Sequence, residues 1–325
     1  GVSIAGGSCA TVGVTGLSLG GGQGVLTRSY GLTCDQFSSL DVVTADGQSR
    51  TVDANHEPDL FWGLRGGGGG SLAAVTALTF KVRPAPTITT FFLQWPWSAA
   101  AAVLGAWQNW TRSAPRELWS TCKLLADPGQ GLKVVLAGTW IGSGPVSAPL
   151  QSLLNATPPP SSNSHNTAGY GPTMLGEAGC AGQDAATCLT EAFTPAKRQP
   201  FAATSSIVAQ PLPAAGINAI VASVAAGMNV PGLVEGGASF DALGGAVSDV
   251  AANATAFPWR SALAIVQHTA TWLYARTDAD PAPYDSFVRA GRQALTPWLG
   301  DSAYVNYADA SITDFGTAYW GPNLT

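Results

Sequence analysis

"GGSCATVGVTGLSLGGGQGVLTRSYGLTCD", residues Gly6 to Asp35, places Cys9 just ahead of a run of glycines. Glycine lets backbone N–H groups approach a ligand closely, which suits a pyrophosphate or the face of a flat ring. No Gly-Lys-Ser/Thr follows, so the segment lacks the signature of a P-loop. It also lacks that of a Rossmann turn, since the strand-like "VLTRSYGL" follows "GGGQG" where a helix would be needed. Alone, the glycine cluster is equally consistent with a set of tight turns.

The composition limits the classes of partner. The chain has 325 residues and 46% hydrophobic content, enough for two domains and a substantial core. Charged residues make up only 11%, against the quarter that is typical of soluble domains. A net charge of -5 with no basic run argues against a nucleic-acid partner or an anionic membrane surface. We expect a small-molecule substrate, no membrane span and no metal site.

The five cysteines are an odd number. Cys180 and Cys188 flank the polar loop "CAGQDAATC", which bends easily enough for its ends to meet. This spacing predicts either a loop-closing disulfide or two reduced loop cysteines. A disulfide would imply an oxidising compartment, and we therefore expect a secreted or extracytoplasmic protein.

The organisation of the chain changes near Pro84. Residues 12–85 have a strand-and-turn character, with apolar stretches between glycine-rich turns. The next two hundred residues alternate strands, including one over 260–275, with helical segments, which predicts an antiparallel sheet with helices on one face. The proline- and serine-rich segment 155–172 is predicted to be a surface loop.

Several motifs occur in one order along the whole chain. They are "GGSCATVGVTGLSLGGGQG", "RSYGLTCDQ", "DVVTADG", "DLFWGLRGGGGGS", "YVNYAD" and "YWGPN". Together they resemble the berberine bridge enzyme-like FAD-linked oxidases of the vanillyl-alcohol oxidase superfamily. The resemblance covers an interior portion of such an enzyme, without the N-terminal FAD-binding segment and the C-terminal tail, so the remaining segments of the same enzyme are expected partners.

The resemblance implies an α+β fold in three parts. Residues 1–85 would form the second half of a vanillyl-alcohol oxidase-type FAD-binding domain. Residues 86–298 would form a substrate-binding domain, with an antiparallel sheet covered by helices. Residues 299–325 would return to the FAD domain and carry the "YVNYAD" motif.

The resemblance also implies a covalent flavin. Cys9 matches the cysteine that forms a thioether to the isoalloxazine ring of FAD, and a second link is expected on a histidine outside this chain. Val12 matches a gatekeeper position that leaves room for O2, although an ordinary core valine would look the same. The residues assigned to the cofactor are Gly7, Ser8, Cys9, Thr11, Val12, Gly13, Gly16, Gly20, Val75, Asn306 and Asn323.

Catalysis is assigned to Tyr307, the tyrosine of the family's "NY" motif and a candidate general base. A phenol with a pKa near ~10 needs an environment that stabilises phenolate to act as a base at pH 7. Asp241 is either the carboxylate that assists this tyrosine or a solvent-exposed strand residue. If residues 304–307 form a strand, Tyr304 and Tyr307 point to opposite faces and do not both reach the flavin unless the strand bulges. Tyr304 either contacts substrate or is a core aromatic.

The strand "LAIVQHTATW" is expected to line the substrate. Some relatives carry a glutamate at the position of Ile265, which is absent here. Gln267 shares a strand face with Ile265 and is assigned to the substrate, whereas His268 faces the other side and is expected to be structural.

These residues imply an oxidase that acts on an alcohol or hemiacetal carbon of a sugar or natural product. Hydride would pass to flavin N5, Tyr307 would take the hydroxyl proton, and O2 would be reduced to hydrogen peroxide. One alternative is a natural-product dehydrogenase or cyclase, distinguished by whether turnover consumes O2. Another is a flavin-free binding module, against which Cys9 and Tyr307 argue.

Overall fold

The computed structural model describes residues 1–192, 194, 199–273 and 280–324. Up to residue 85, the chain forms β1 (Val2–Ser3), α1 (Val14–Leu19), α2 (Thr27–Tyr30), β2 (Phe37–Val43), β3 (Ser49–Val52), α3 (Pro58–Gly63), β4 (Ala74–Phe80) and β5 (Arg83–Pro84). The strands make a three-stranded sheet in the order β3-β2-β4 and a two-stranded pair of β1 with β5. Both sheets are antiparallel.

The rest of the chain holds longer elements. They are β6 (Thr87–Pro96), α4 (Ala100–Ser113), β7 (Leu118–Asp127), β8 (Gly131–Trp140), α5 (Ser147–Asn155), β9 (Ser162–Gly169), α6 (Tyr170–Glu177), α7 (Ala185–Ala192), β10 (Phe201–Val208), α8 (Ala214–Ala225), β11 (Leu233–Ala242), β12 (Ala264–Trp272), α9 (Ala282–Leu299) and α10 (Phe315–Trp320).

A seven-stranded sheet in the order β10-β12-β11-β7-β8-β6-β9 is the largest element of the described chain. Every pairing in it is antiparallel. Helices α4, α5, α8 and α9 pack against it through one continuous apolar core, which includes Trp95, Trp107, Leu124, Ile220, Phe240, Val266 and Leu295. The predicted α+β fold with a helix-covered antiparallel sheet is therefore confirmed.

Side chains of β12 alternate between the two faces of the sheet. Val266 belongs to the core under the helices, whereas Ile265 belongs to a second core that includes Leu40 and Tyr304. His268 is 1% exposed, and a Cβ at Gly291 of α9 would meet its ring. Burial, with the nearby Arg292, lowers the pKa of His268 to about 3. This histidine is a neutral packing residue of the helix side.

The structure corrects three assignments made from the pattern. The segment "VLTRSYGL" contains the helix α2 and no strand, and the region 12–85 also contains α1 and α3. Residues 155–172 include the edge strand β9 and the start of α6, because polar residues can pair through their backbone without any apolar alternation. The strand predicted over 260–275 is β12, and its last two positions lie outside the described residues.

Cys180 and Cys188 form a disulfide, with their Cα atoms 5.5 Å apart. It closes the loop that leads into α7. Cys9, Cys34 and Cys122 are free, and only Cys9 is exposed.

A buried ion pair joins the two halves of the fold. Arg260, which precedes β12, donates to both carboxylate oxygens of Asp35 at 2.7 and 2.8 Å. Their side chains are only 3% and 10% exposed. The same carboxylate accepts from the backbone N–H of Leu32 at 2.8 Å, so the "YGLTCD" turn is held against the large sheet's connecting loop.

Replacing Asp35 by asparagine should destabilise the protein by about 3–5 kcal/mol, because Arg260 would stay buried without its counter-charge. Denaturant unfolding followed by circular dichroism would measure this change. The matched control is Asp46→Asn, which breaks a solvent-exposed pair with Arg50 and should leave the midpoint nearly unchanged. Equal midpoints for the two variants would contradict this account of Asp35.

Candidate active site

The backbone from Cys9 to Gly16 runs along an open side of the structure. Cys9 carries a free and exposed thiol, and Val12 is 45% exposed. A Cβ added at Gly13 or Gly16 would meet no atom within 4 Å. The backbone beside the thiol is therefore bare, and a flat ring has room to lie against it.

Cys9 also lines a cavity of about 250 Å³. Thr11, Glu177 and Glu191 line the same cavity. Burial raises the pKa of Glu177, and the positive charge of Lys123 acts in the opposite direction. The carboxyl groups of Glu177 and Glu191 can accept hydrogen bonds from a hydroxyl-bearing molecule in this cavity.

The end of α1 is where the C-terminal segment docks. Asn306 Nδ2 donates to the carbonyl of Leu17 at 2.8 Å and to Tyr304 Oη at 2.7 Å. Tyr304 Oη also accepts from the backbone N–H of Gly22 at 2.9 Å. A Cβ at Gly20 would collide with the Asn306 amide, so this position accepts only glycine.

Residues 304–307 form a turn, closed by a 2.9 Å hydrogen bond from the N–H of Tyr307 to the carbonyl of Tyr304. No strand forms here, so the rule that neighbouring strand residues face opposite sides does not apply, and the two rings meet edge to face with centroids 5.2 Å apart. Tyr304 is 1% exposed and packs against Phe257. It is a buried aromatic whose hydroxyl ties the docked segment to the glycine turn.

Gln23 bridges the two residues assigned to catalysis. Its Nε2 donates to Asp241 Oδ2 and to Tyr307 Oη, both at 3.1 Å. Its Oε1 is buried and has no hydrogen-bond partner among the described residues. One amide therefore fixes the carboxyl and the phenol relative to each other and still has an acceptor to offer.

Burial controls the charge of this cluster. Burial raises the pKa of the Asp241 carboxyl, while the neighbouring Thr121 hydroxyl, the charge of Lys123 and the hydrogen bond from Gln23 lower it. Burial also raises the pKa of Tyr307 well above its ordinary value, and the Asp241 charge adds to this effect. The hydrogen bond from Gln23 acts the other way on both groups.

The sheet face that carries Asp241 is polar. In the register of the sheet, Asp241 on β11 lies between Ile265 on β12 and Thr121 on β7. The adjacent row pairs Gln267 with Ser239, and Ser239 with Lys123. Gln267 thus lies on the same face as Asp241, one row away.

Other predicted cofactor residues have different surroundings. Asn323 Nδ2 donates to the carbonyls of Ala252 and Thr255, at 2.7 and 3.0 Å. Val75 pairs across β2 and packs against the core of the small sheet. Ser8 is half-buried beside the thiol, and a Cβ at Gly7 would touch Leu17 at 3.1 Å. The structure therefore gathers Gly20, Tyr304, Asn306, Tyr307 and Asp241 into one contact network, and Val75 packs against the same apolar core as Tyr304 and Tyr307.

Two polar residues of this site were missed by the sequence analysis. Gln23 stands inside the glycine run "GGGQG" and was given no role. Lys123 stood in the apolar strand "LWSTCKLLAD". The sequence did hold a sign of each: a single amide among glycines and a single charge inside an apolar strand. Burying either group costs free energy unless it forms a hydrogen bond or an ion pair, so such isolated polar residues point to a site.

The residues present fit a flavin at Cys9. The exposed thiol could form a thioether, the bare backbone around Gly13 and Gly16 leaves room for a flat ring, and the buried Gln23 Oε1 needs a donor. No cluster of three metal-ligating side chains occurs in the described part of the chain. Among the same residues, no helix is long and apolar enough to cross a membrane.

Known proteins resemble this chain along its whole length. The family described as "Berberine and berberine like" matches residues 303–325. The uncharacterized FAD-linked oxidoreductase YgaK of Bacillus subtilis is 30% identical over 100% of this chain and 68% of that protein. Berberine bridge enzyme-like 24 of Arabidopsis thaliana is 27% identical over 97% of this chain and 60% of that protein.

Solved structures agree with this relationship. A chitooligosaccharide oxidase superposes with a TM-score of 0.85 at 25% identity, covering 99% of this chain and 68% of the other. The wild-type BBE-like 1 of Physcomitrella patens gives 0.85 at 26% identity, with 99% and 67% covered. The chain thus spans about two thirds of these proteins and has their vanillyl-alcohol oxidase-type fold. With this fold and the YgaK match over its full length, the chain belongs to the berberine bridge enzyme-like FAD-linked oxidoreductases.

Proposed function

We propose that this chain carries the active site of an oxidase that converts an alcohol or hemiacetal carbon to a carbonyl, with FAD attached through Cys9 and O2 as the final electron acceptor. The observation that carries the proposal is the Gln23 bridge between Asp241 and Tyr307, in the same segment that presents the free Cys9 thiol. When bound, FAD supplies the two-electron chemistry, taking hydride from the substrate and giving the electrons to O2.

Cys9 would hold the flavin through a thioether, and Gly13 and Gly16, which lack side chains, would leave room for its ring. The unpartnered Gln23 Oε1 would accept a hydrogen bond from the bound group or from the substrate hydroxyl. The exposed side chain of Val12, three residues from Cys9, is small enough to leave O2 a path.

Tyr307 and Asp241 would act as a pair on the substrate's proton. The raised pKa of Tyr307 keeps it a neutral phenol at pH 7, so it would take the substrate's proton only while passing its own phenolic proton to the Asp241 carboxylate. The raised pKa of Asp241 makes that carboxylate a stronger base than an exposed one. Gln23 stabilises the anionic form of both groups and so holds them ready for this exchange.

A sugar is the substrate class best supported. Gln267, Ser239 and Lys123 form a row of hydrogen-bonding groups on the sheet face beside Asp241. Such a row suits several hydroxyls at once, and one of the similar structures is a chitooligosaccharide oxidase. The Cys180–Cys188 disulfide supports a secreted or extracytoplasmic location.

The peptide that contains Cys9 should carry the mass of the flavin after denaturation and proteolysis of the complete protein. Cys9→Ala should abolish that modified peptide, because Cys34 and Cys122, the other free cysteines of the described residues, are buried. Cys122→Ala, which removes a buried thiol, is the matched control and should keep it. An unmodified Cys9 peptide from yellow wild-type protein would overturn the proposed attachment.

Tyr307→Phe should lower kcat by about 10²–10⁴-fold while the flavin stays attached, because only the proton-accepting oxygen is lost. Stopped-flow reduction of the flavin by a substrate found in a peroxide-coupled sugar screen measures the effect. The control is Tyr30→Phe, which keeps the ring that lies under Arg83. In this variant the flavin should be reduced at the wild-type rate. A Tyr307→Phe rate within threefold of wild type would remove Tyr307 from the mechanism.

Gln23→Leu should move the acid limb of the pH profile of kcat/KM to higher pH. The Gln23 amide lowers the pKa of both Asp241 and Tyr307, so without it each group holds its proton to a higher pH. The control is Gln151→Leu, an exposed glutamine on α5, which should leave the limb in place. An acid limb that stays put, or moves to lower pH, in Gln23→Leu would contradict the assigned role.

A further inference from the structure

A second cavity, of about 430 Å³, lies between the end of α4, the loop before α8 and the turn after β11. None of its lining residues belongs to the candidate active site. Three arginines line it, namely Arg28, Arg112 and Arg116, and no aspartate or glutamate does. This is an unusual concentration of cations in a chain whose net charge is -5.

Arg28 is 5% exposed and held rigidly. Its Nε and Nη2 donate to the carbonyls of Leu118 and Ala114, both at 2.8 Å, and its Nη1 donates to the carbonyl of Leu243. A guanidinium has five N–H groups, so two remain without an acceptor among the described residues. A fixed, buried guanidinium with free N–H donors can bind an oxyanion through charge-assisted hydrogen bonds.

The charge at this cavity is only partly balanced. Arg116 pairs with Asp249 at 3.0 Å on the surface, and no carboxylate of the described residues pairs with Arg28 or Arg112. The carbonyl end of α4 contributes roughly half a negative charge. A net positive charge of roughly one to two therefore remains. Burial, with the repulsion from Arg116, lowers the pKa of Arg28 to about 10, consistent with an uncompensated cation.

A buried hydroxyl adds an independent sign of a ligand. Thr111 of α4 lines the cavity and is 1% exposed, and its Oγ1 has no hydrogen-bond partner among the described residues. A buried hydroxyl without a partner costs free energy that a ligand can recover. Gln210, Ser248 and Ser261 also line the cavity and offer further neutral donors and acceptors.

We propose that this cavity is a binding site for a small molecule that carries an oxyanion, a carboxylate or a phosphate, held by Arg28, Arg112 and Arg116 with Thr111 as a hydroxyl partner. The cavity volume falls in the range of small-ligand sites. The site stands apart from the proposed flavin chemistry and does not depend on it.

Isothermal titration calorimetry on the purified protein tests the site, with inorganic phosphate and citrate as separate probes and chloride at matched ionic strength. At least one probe should bind saturably at one site per chain, and the stronger of the two identifies a phosphate or a carboxylate ligand. The double variant Arg112→Gln/Arg116→Gln should weaken binding at least tenfold. Both side chains lie near the surface, and Arg116 loses only an exposed ion pair.

The matched control is Arg289→Gln, which removes an exposed arginine on α9 that pairs with Asp285. It should bind the probe as wild type does. The proposal would be overturned if neither probe binds saturably, or if the double variant binds with the affinity of the wild type. If the double variant is unstable, Arg112→Gln alone, at an exposed position, serves the same comparison.

Discussion

The site depends on the docking of the C-terminal turn against the glycine turn at the end of α1. Two donors, the backbone N–H of Gly22 and the Asn306 amide, meet on the hydroxyl of Tyr304 in a buried place. Gly20 must lack a side chain for Asn306 to enter. This contact joins residues 282 positions apart in the chain. It brings Tyr307 within reach of Gln23, so the proposed proton chemistry exists only where this docking is complete.

Sequence patterns predicted what local rules determine. Alternation gave the strand β12, and it placed His268 and Gln267 on opposite faces. Gly20 could be assigned to the site from the sequence. The reason that it must be glycine could not, because the Asn306 amide that would collide with a side chain there comes from the far end of the chain. The conformation of residues 304–307 could not be decided from the sequence, because two tyrosines around an Asn suit a strand as well as a turn that tertiary contacts impose. Gln23 became recognisable only through its hydrogen bond to Asp241, and Lys123 only when the sheet register placed it in the row beside Asp241.

Two buried arginines show how this weakly charged chain uses its few cations. Arg260 has a full counter-charge in Asp35, so the pair is closed and structural. Arg28 is held only by carbonyl oxygens, which orient it without neutralising it. Arg260 and Arg28 are nearly equally buried, at 2% and 5% exposure, yet only Arg28 keeps a positive charge that no carboxylate of the described residues neutralises. Burial alone therefore does not separate a structural arginine from one that can bind; the chemistry of its acceptors does.

The strand β9, "SNSHNTAG", forms one border of the large sheet, where β6 is its one partner among the described strands. Its outer backbone groups face water, where another extended chain could add itself to the sheet. Serine, asparagine and threonine offer such a chain almost no apolar surface to bury, so the gain from joining would be backbone hydrogen bonds that water already provides. The same absence of apolar residues that hides this strand in the sequence thus protects the border against association between copies of the protein.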